Sequence, residues 1–289
     1  MILIADSGST KAEFRLFEMS GTERTFTLPG INPFYQSEAE IKELINSDLY
    51  ASLTECNIRK IYFYGAGCAF PEKKKILENA LLYSFPQAEV FVDSDLLAAS
   101  RALFRRSKGI ACILGTGSNS CFYNGQEIEK NVSPLGFILG DEGSGAVLGR
   151  KFISDCLKNQ LSVSLQKKFF SQYNISPPEI MDRVYKQPFP NRYLASLSPF
   201  LLENIDEESI YQMVKRSFTE FFERNVKQYS ITDVKLGFVG SVAYYFQDIL
   251  REVAEEMGYQ IDKIYQSPME GLLQFHRNDS CVLIYDYIF

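Results

Sequence analysis

Histidine and tryptophan are the scarcest residues of this 289-residue sequence, which has one histidine, His276, and no tryptophan. Its six cysteines are scattered, and no two of them form a CxxC pair. Zinc sites usually combine such pairs with histidines, and disulfide-stabilised chains are shorter and richer in cysteine. The sequence therefore argues against a zinc site and against a fold stabilised by disulfides. A Ser-His-Asp hydrolase would depend on His276 alone, and the GxSxG motif of the α/β-hydrolases is missing.

An excess of positive charge and long apolar runs are missing as well. The net charge is −6 and the isoelectric point about 5.1, whereas general binding to nucleic acid or to an anionic membrane needs a basic surface. No apolar run approaches the length of about 18 residues that crosses a bilayer. The apolar start at residues 1–5 meets Asp6 too early for a signal peptide, so we expect a buried first strand and a cytoplasmic protein.

Two common nucleotide-binding motifs are also missing. The P-loop pattern GxxxxGK[ST] fails because Lys11 follows Thr10 rather than a glycine. The dinucleotide pattern GxGxxG fails at residues 65–70 and 115–120, where the third glycine is replaced. Any nucleotide site in this chain must therefore be built from other turns.

Strand-like and helix-like segments alternate along the whole chain, which is typical of the α/β class. Two strand–turn–strand patterns, at residues 2–17 and 110–123, begin about 105 residues apart and indicate two copies of one structural unit. We therefore predict an N-terminal domain at residues 1–107 and a C-terminal domain at residues 108–289. The second domain is expected to carry a helical insertion at about residues 162–206, where several prolines interrupt the pattern.

Each predicted hairpin has a turn that is suited to phosphate. The first turn, residues 6–11, combines Asp6 with a glycine, three hydroxyl residues and a lysine, and the second, residues 115–119, reads Gly-Thr-Gly-Ser-Asn. Backbone N–H groups and hydroxyls of such turns bind phosphate oxygens, and an aspartate there can hold Mg²⁺. Either turn alone is equally well explained as an ordinary hairpin turn. Their recurrence in both halves favours two phosphate-binding turns on either side of a nucleotide.

Acidic residues at two predicted helix starts are further candidates. Asp141 and Glu142 lie between glycines just before a helix, and Asp93 and Asp95 end a short strand before another helix. Helix capping explains either pair, because a helix N-terminus attracts negative charge. A carboxylate at the second place is also suited to accept a proton from a hydroxyl during phosphoryl transfer.

Together these segments resemble the actin-like ATPase superfamily, and within it the N-acetylglucosamine kinase branch of the group that also contains the activator ATPases of benzoyl-CoA reductase and of dehydratases. Asp6–Lys11 and Leu114–Asn119 are similar to the two phosphate loops of that family. Gly140–Ser144 resembles its GDEGS motif, and Phe238–Ala243 resembles its adenosine motif. Ser94–Ala99 is similar to the segment with the catalytic aspartate. The resemblance covers nearly the whole chain.

The resemblance implies two ribonuclease H-like domains with an interdomain cleft, and the transfer of phosphate from ATP, with Mg²⁺, to the 6-hydroxyl of N-acetylglucosamine. By its motifs the site residues are Asp95, rather than Asp93, as catalytic base; Asp6 for the metal; Ser9, Thr10, Lys11, Gly115, Thr116, Gly117, Gly240 and Ser241 for ATP; and Asn32, Asn119, Asp141 and Glu142 for the sugar. It also implies a small-molecule sugar as partner, no nucleic acid or membrane, and a homodimer.

Three alternatives stay open at this point. The substrate could be glucosamine or N-acetylmuramic acid. The chain could instead be an ATPase that activates or senses a partner protein, since Cys68 follows a glycine-rich loop, although the second loop cysteine of the iron–sulfur activators is missing. Third, the chain could be a binding protein that has lost catalysis, although such a protein would not need Asp6, Asp95 and Asp141. The sugar kinases with an ExGH signature and a zinc motif are not matched.

Overall fold

The computed structural model describes residues 1–8, 10–18, 21, 23–231 and 234–285, with side chains as far as residue 277. It divides the chain into two compact units. The first unit contains Met1–Arg106 and the C-terminal segment that begins at Pro268, and the second contains Ser107–Ser267. Each unit has its own sheet and its own hydrophobic core.

The sheet of the first unit has five strands: β1 (Ile2–Ser7), β2 (Lys11–Phe17), β3 (Glu23–Pro29), β4 (Lys60–Gly65) and β5 (Glu89–Ser94). Their order is β3-β2-β1-β4-β5. Strands β1, β2 and β3 form an antiparallel meander, and β4 and β5 run parallel to β1. In β2, Ala12, Phe14 and Leu16 are buried in the core. Every second residue of this strand therefore faces the core, and the hairpin predicted at residues 2–17 is confirmed.

The sheet of the second unit also has five strands: β6 (Gly109–Leu114), β7 (Ser118–Tyr123), β8 (Ile128–Val132), β9 (Lys235–Val239) and β10 (Ile261–Tyr265). Their order is β10-β9-β6-β7-β8, with β6, β7 and β8 antiparallel and β9 and β10 parallel to β6. This is the topology of the first sheet. The expected α/β class, with two copies of one structural unit, is confirmed.

Helices connect the strands in both units. The first unit has α1 (Glu38–Leu44), α2 (Pro71–Ser84) and α3 (Asp95–Phe104), with a π-helical turn at Ile45–Leu49 and a 3₁₀ turn at Tyr50–Ser52. The second unit has α4 (Gly136–Leu139), α5 (Gly145–Leu157), α6 (Val163–Tyr173), α7 (Pro177–Tyr185), α8 (Pro190–Ala195), α9 (Ser198–Glu203), α10 (Glu208–Arg224), α11 (Ser241–Tyr245) and α12 (Gln247–Glu256), with a 3₁₀ turn at Val226–Tyr229. The last helix is α13 (Met269–Tyr285).

The start of α1 illustrates how local sequence sets these elements. Ser37 and Glu40 form a capping box, in which each side chain bonds to the backbone N–H of the other residue. The four helices α6 to α9 fill the predicted insertion at residues 162–206. Within the described residues, no helix combines the length and the apolar character that crossing a membrane requires.

The predicted domain boundaries need one correction, at the C-terminus. We expected all of residues 108–289 in the second domain, but α13 belongs to the first unit. It packs closely on α3: a Cβ placed on Gly271 would lie 2.6 Å from Cα of Ala102. Only a glycine allows the two helix backbones to approach this far. This long-range contact leaves no local pattern in the sequence.

Candidate functional site

The first turn is a tight connection between β1 and β2. The N–H of Gly8 donates to the carbonyl oxygen of Lys11 at 3.0 Å, and Thr10 and Lys11 are exposed beside it. The Lys11 ammonium contacts Glu13 at 3.2 Å. Ser9, which we predicted as a phosphate ligand, lies outside the described residues.

Asp6 and Asp95 form an acidic pair in the first unit. Asp6 is near the end of β1, and Asp95 is the first residue of α3. Burial raises the pKa of Asp6 to about 7, with further upward contributions from Asp95 and Glu13 that the nearby Lys11 partly opposes. Burial also raises the pKa of Asp95, while its own backbone N–H and that of Leu96 lower it. The charge of Asp95 therefore disfavours the ionised form of Asp6.

Asp93, the alternative to Asp95, is already paired. Its carboxylate contacts the Lys74 ammonium at 3.0 Å and accepts the N–H of Ser94 at 2.8 Å. Ser94 is the residue that caps α3, through a bond from the N–H of Leu97 to its hydroxyl at 3.2 Å. The capping explanation for Asp95 is thus weakened, because a neighbouring serine already caps this helix.

Asn32 lies on a segment that is held against the end of β1. The Ser7 hydroxyl and the backbone of Ile31 are linked by hydrogen bonds of 2.9 Å in both directions. The Asn32 side chain is buried, and its Oδ1 accepts the N–H of Phe34 at 2.9 Å. A Cβ on Gly67, whose φ is +82°, would collide with that oxygen. These contacts fix the orientation of the Asn32 side chain.

The acidic pair is suited to a magnesium ion. Mg²⁺ is usually bound by one or two carboxylates, with water and phosphate oxygens completing its coordination. Asp6 supplies such an oxygen, and a cation beside it would oppose the burial and the Asp95 charge that raise its pKa. Among the described residues there is no group of three or more His, Cys, Asp or Glu side chains that could hold a metal by itself. Asp6 could therefore bind a metal whose other ligands are water and phosphate oxygens.

In the second unit, the Gly-Thr-Gly turn is bonded to the start of α5. The N–H of Gly115 donates to the carbonyl oxygen of Gly117 at 2.9 Å. The carbonyl oxygens of Gly115 and Thr116 accept the N–H groups of Gly145 and Ala146 at 2.8 and 3.1 Å. Hydrogen bonds therefore join the turn to the end of the GDEGS segment, although the two are separated in sequence.

Asp141 lies directly over this turn. One of its carboxylate oxygens is 3.1 Å from the position of a Cβ on Gly117, so a larger residue there would press on it. Burial raises the pKa of Asp141 to about 6; the N–H of Ser118, which its carboxylate accepts, lowers it and Glu142 raises it. The backbone of Asp141 has a φ of 55°, in the left-handed region. The structure thus brings together Asp141 and the second phosphate turn.

Asn119 and Glu142 are each held by residues that the sequence analysis missed. The Oδ1 of Asn119 accepts the Nδ2 of Asn131, on β8, at 2.9 Å. The buried carboxylate of Glu142 contacts Arg224 at 2.9 Å and accepts the Nδ2 of Asn225 at 3.3 Å. Both oxygens of Glu142 therefore have protein partners. No local sequence signal connects these partners, because they are brought together only by the fold.

Gly240 lies against the same turn, at the end of β9. Its φ is +125°, and a Cβ there would collide with the carbonyl oxygen of Leu114. Its N–H donates to the carbonyl oxygen of Tyr265 at 2.9 Å, and the exposed Ser241 begins α11. All the predicted ligands of the second unit are therefore near the ends of β6 and β9, while those described in the first unit are near the ends of β1 and β5.

Comparison with known proteins gives a consistent result. No protein-family model matches the chain, and no curated protein does. Among solved structures, a putative N-acetylglucosamine kinase from Porphyromonas gingivalis is 46% identical to this chain, covers 97% of it and 100% of its own length, and superimposes with a TM-score of 0.94.

Two more distant structures share the fold. A putative N-acetylglucosamine kinase from Chromobacterium violaceum is 15% identical over 95% of this chain and 98% of its own, with a TM-score of 0.73. A ROK family glucokinase from Streptomyces griseus, in complex with glucose and AMPPNP, is 14% identical over 95% and 97%, with a TM-score of 0.60. The resemblance that the motifs indicated is confirmed: the chain belongs to the N-acetylglucosamine kinase branch of the actin-like ATPase superfamily, a family of ATP-dependent sugar kinases.

Proposed function

We propose that this protein transfers the γ-phosphoryl group of ATP to the 6-hydroxyl of N-acetylglucosamine. The observation that carries the proposal is the place of Asp95, at the start of α3 beside Asp6. Asp93 is bound to Lys74 and Ser94 caps the helix, so Asp95 is the carboxylate left for proton transfer. The 46% identity with a putative N-acetylglucosamine kinase supports the substrate.

In the proposed reaction, the Asp95 carboxylate accepts the proton of the sugar hydroxyl. The hydroxyl oxygen then forms a bond to the γ-phosphorus, the bond between that phosphorus and the β–γ bridging oxygen breaks, and ADP leaves with the electron pair. Burial raises the pKa of Asp95, and the greater proton affinity that results suits a general base. Positioning supplies much of the remaining rate, as in other phosphoryl transfers.

ATP would be bound by groups from both phosphate turns. In the first unit these are Thr10 and the Lys11 ammonium, and in the second unit the Gly115–Gly117 turn. Gly240 and Ser241 would lie beside the adenosine. When bound, Mg²⁺ would be held by Asp6 with phosphate oxygens and would neutralise charge on the transferring group.

The sugar would be bound by amide and carboxylate groups. Asn32 offers its Nδ2, since its Oδ1 accepts a backbone N–H. Asn119 also has its Oδ1 occupied, by Asn131, so it too presents a donor. Asp141 offers a carboxylate oxygen as acceptor for a sugar hydroxyl. Donors and an acceptor together fix the orientation of a ring that carries several hydroxyls.

The proposal is tested by measuring ADP release with ATP and Mg²⁺ against a panel of sugars. The panel contains N-acetylglucosamine, glucosamine, N-acetylmannosamine, N-acetylmuramic acid and glucose. We expect release to depend on sugar and to be fastest with N-acetylglucosamine, with the product identified as the 6-phosphate. Preference for glucosamine or N-acetylmuramic acid would overturn the substrate but keep the kinase. Release that no sugar changes would favour an ATPase that acts on a partner protein.

A further inference from the structure

Glu142 is a buried charge that the proposed reaction does not use. It follows Asp141 in the chain, and only 7% of its surface is exposed. Its two oxygens contact the Arg224 guanidinium at 2.9 Å and the Asn225 amide at 3.3 Å. A buried carboxylate is retained only where such partners satisfy it. Both partners come from the C-terminal end of α10, so this helix end is attached to the GDEGS segment.

Asp141 needs such an attachment, because its backbone is in an unfavourable region. A φ of 55° is uncommon for a residue other than glycine and must be maintained by its surroundings. The N–H of Asp141 donates to the carbonyl oxygen of Pro134 at 2.9 Å, and its own carbonyl oxygen accepts the N–H of Ser144 at 3.0 Å. The next two residues are bonded to α10, Glu142 as above and Gly143 through Ser217 at 3.2 Å.

The same segment of chain reaches the other sugar-binding side chain of this unit. Tyr229, which ends the 3₁₀ turn after α10, is buried, and its hydroxyl is 2.7 Å from that of Ser120. The Tyr229 hydroxyl also accepts the N–H of Val132 at 3.2 Å. Ser120 follows Asn119 on β7, and Val132 follows Asn131, whose amide holds Asn119.

We propose that Arg224, Asn225 and Tyr229, here named the 224–229 brace, position Asp141 and Asn119 together for the sugar. The inference rests on the proposed function. It makes Glu142 a positioning residue, which acts through Asp141, in place of a direct sugar ligand. The bonds that carry it are those of Glu142 to Arg224 and Asn225 and of Tyr229 to Ser120. Since one short segment holds both ligands, a defect at either end should affect the sugar and spare the nucleotide.

The test compares Glu142→Gln and Tyr229→Phe with a matched control, Tyr211→Phe. Tyr211 is also on α10, and its hydroxyl contacts Glu252 at 2.6 Å on α12. We expect Glu142→Gln to raise the KM for N-acetylglucosamine about tenfold and Tyr229→Phe about threefold, because small misplacements of binding groups are costly. The kcat and the KM for ATP should change by less than about twofold. The control should leave all three values unchanged.

A second readout is the increase in Tm that saturating N-acetylglucosamine produces in the absence of ATP. It should be smaller for the two brace variants than for the control, and Tyr229→Phe keeps the test valid if Glu142→Gln does not fold. Brace variants that lose Tm or kcat but keep the sugar KM would overturn the inference, because that is the result of a merely structural role. If the unchanged protein showed no sugar-dependent turnover, the proposed function would be overturned, and this inference with it.

Discussion

The two units share one sheet topology but surround their acidic residues differently. In the first unit, burial and the charge of Asp95 raise the pKa of Asp6 to about 7. In the second unit, burial raises the pKa of Asp141 to about 6, but its carboxylate accepts the N–H of Ser118, and Glu142 is bonded to Arg224 and Asn225. In the first unit, the charge of Asp6 can be neutralised by a proton or a cation. In the second unit, the hydrogen-bond partners of Asp141 and Glu142 fix the orientation of these two side chains.

This difference indicates that the acidic residues of the two units, which share one topology, are suited to different chemical roles. A carboxylate with a raised pKa is suited to exchange a proton or to bind Mg²⁺. A carboxylate held by fixed donors is suited to orient a ligand, because its position is determined before the ligand arrives. Under the proposed function, the strand–turn–strand hairpin of one unit would serve the reaction and that of the other unit the recognition of the sugar.

The largest expected effect comes from replacing one acid in each unit. Asp95→Asn removes the proposed base while keeping its size, and we expect kcat to fall about 10²–10⁴-fold, with little change in the KM for ATP. Asp141→Asn removes an acceptor for a sugar hydroxyl, and we expect the KM for the sugar to rise roughly 10- to 100-fold. Steady-state kinetics with both substrates varied measures the two effects.

Asp93→Asn is the matched control for the first variant, because Asp93 is two residues away and is paired with Lys74. It should keep most of the kcat. Equal losses of kcat in Asp93→Asn and Asp95→Asn would show that the segment, and not the Asp95 carboxylate, matters. A fall in kcat alone for Asp141→Asn would contradict the division between reaction and recognition.

The sequence was informative where structure and function depend on neighbours in the chain. The two hairpins and the α/β class follow from local patterns, and the structure confirms them. Strands β3, β8 and β10 were not predicted. β3 and β8 are edge strands with much exposed surface, so their patterns contain few buried apolar residues.

What could not be predicted depends on contacts between distant residues. Asn131, Arg224 and Asn225 support the candidate ligands, but they lie 12 positions from Asn119 and about 80 positions from Glu142. The assignment of α13 to the first unit rests on the approach of Gly271 to Ala102, which no periodicity announces. The substrate, similarly, depends on groups that several separate segments bring together.

A second prediction concerns the close contact of Gly240, which has no counterpart at Gly258. Gly240→Ala should destabilise the second unit by roughly 2–4 kcal/mol, since the new Cβ would collide with a backbone carbonyl oxygen that belongs to β6. Gly258 has a φ of +80° but nothing within 4 Å of a Cβ, so Gly258→Ala should lose only about 1 kcal/mol from backbone strain. Thermal or urea unfolding measures both.

The comparison of these two variants separates collision from strain. Gly240→Ala should also raise the KM for ATP, because it moves the chain beside the proposed adenosine position, whereas Gly258→Ala should not. Equal stabilities of the two variants would mean that the backbone near Leu114 can move away from the new Cβ at little cost in free energy. The role of Gly240 in holding β6 and β9 at their close approach would then be wrong.

The smallest effect is a pH-dependent gain of stability in Asp6→Asn. The folded-state pKa of Asp6 is raised from 3.8 to about 7, so between these values the folded protein keeps a proton that the unfolded chain has released. The stability of the unchanged protein therefore falls as pH rises through this window and changes no further above it.

Asparagine does not titrate. The Tm gain of Asp6→Asn, measured without metal, should thus be absent near pH 4 and reach roughly 3 °C above pH 7. Asp48→Asn, at an exposed position of the same unit, is the control and should show no such trend. Mg²⁺ with ATP should reduce the gain at pH 8, because the cation stabilises the ionised Asp6 of the unchanged protein. A gain of equal size at pH 4 and pH 8 would contradict the acidic pair, and with it the contrast between the two units.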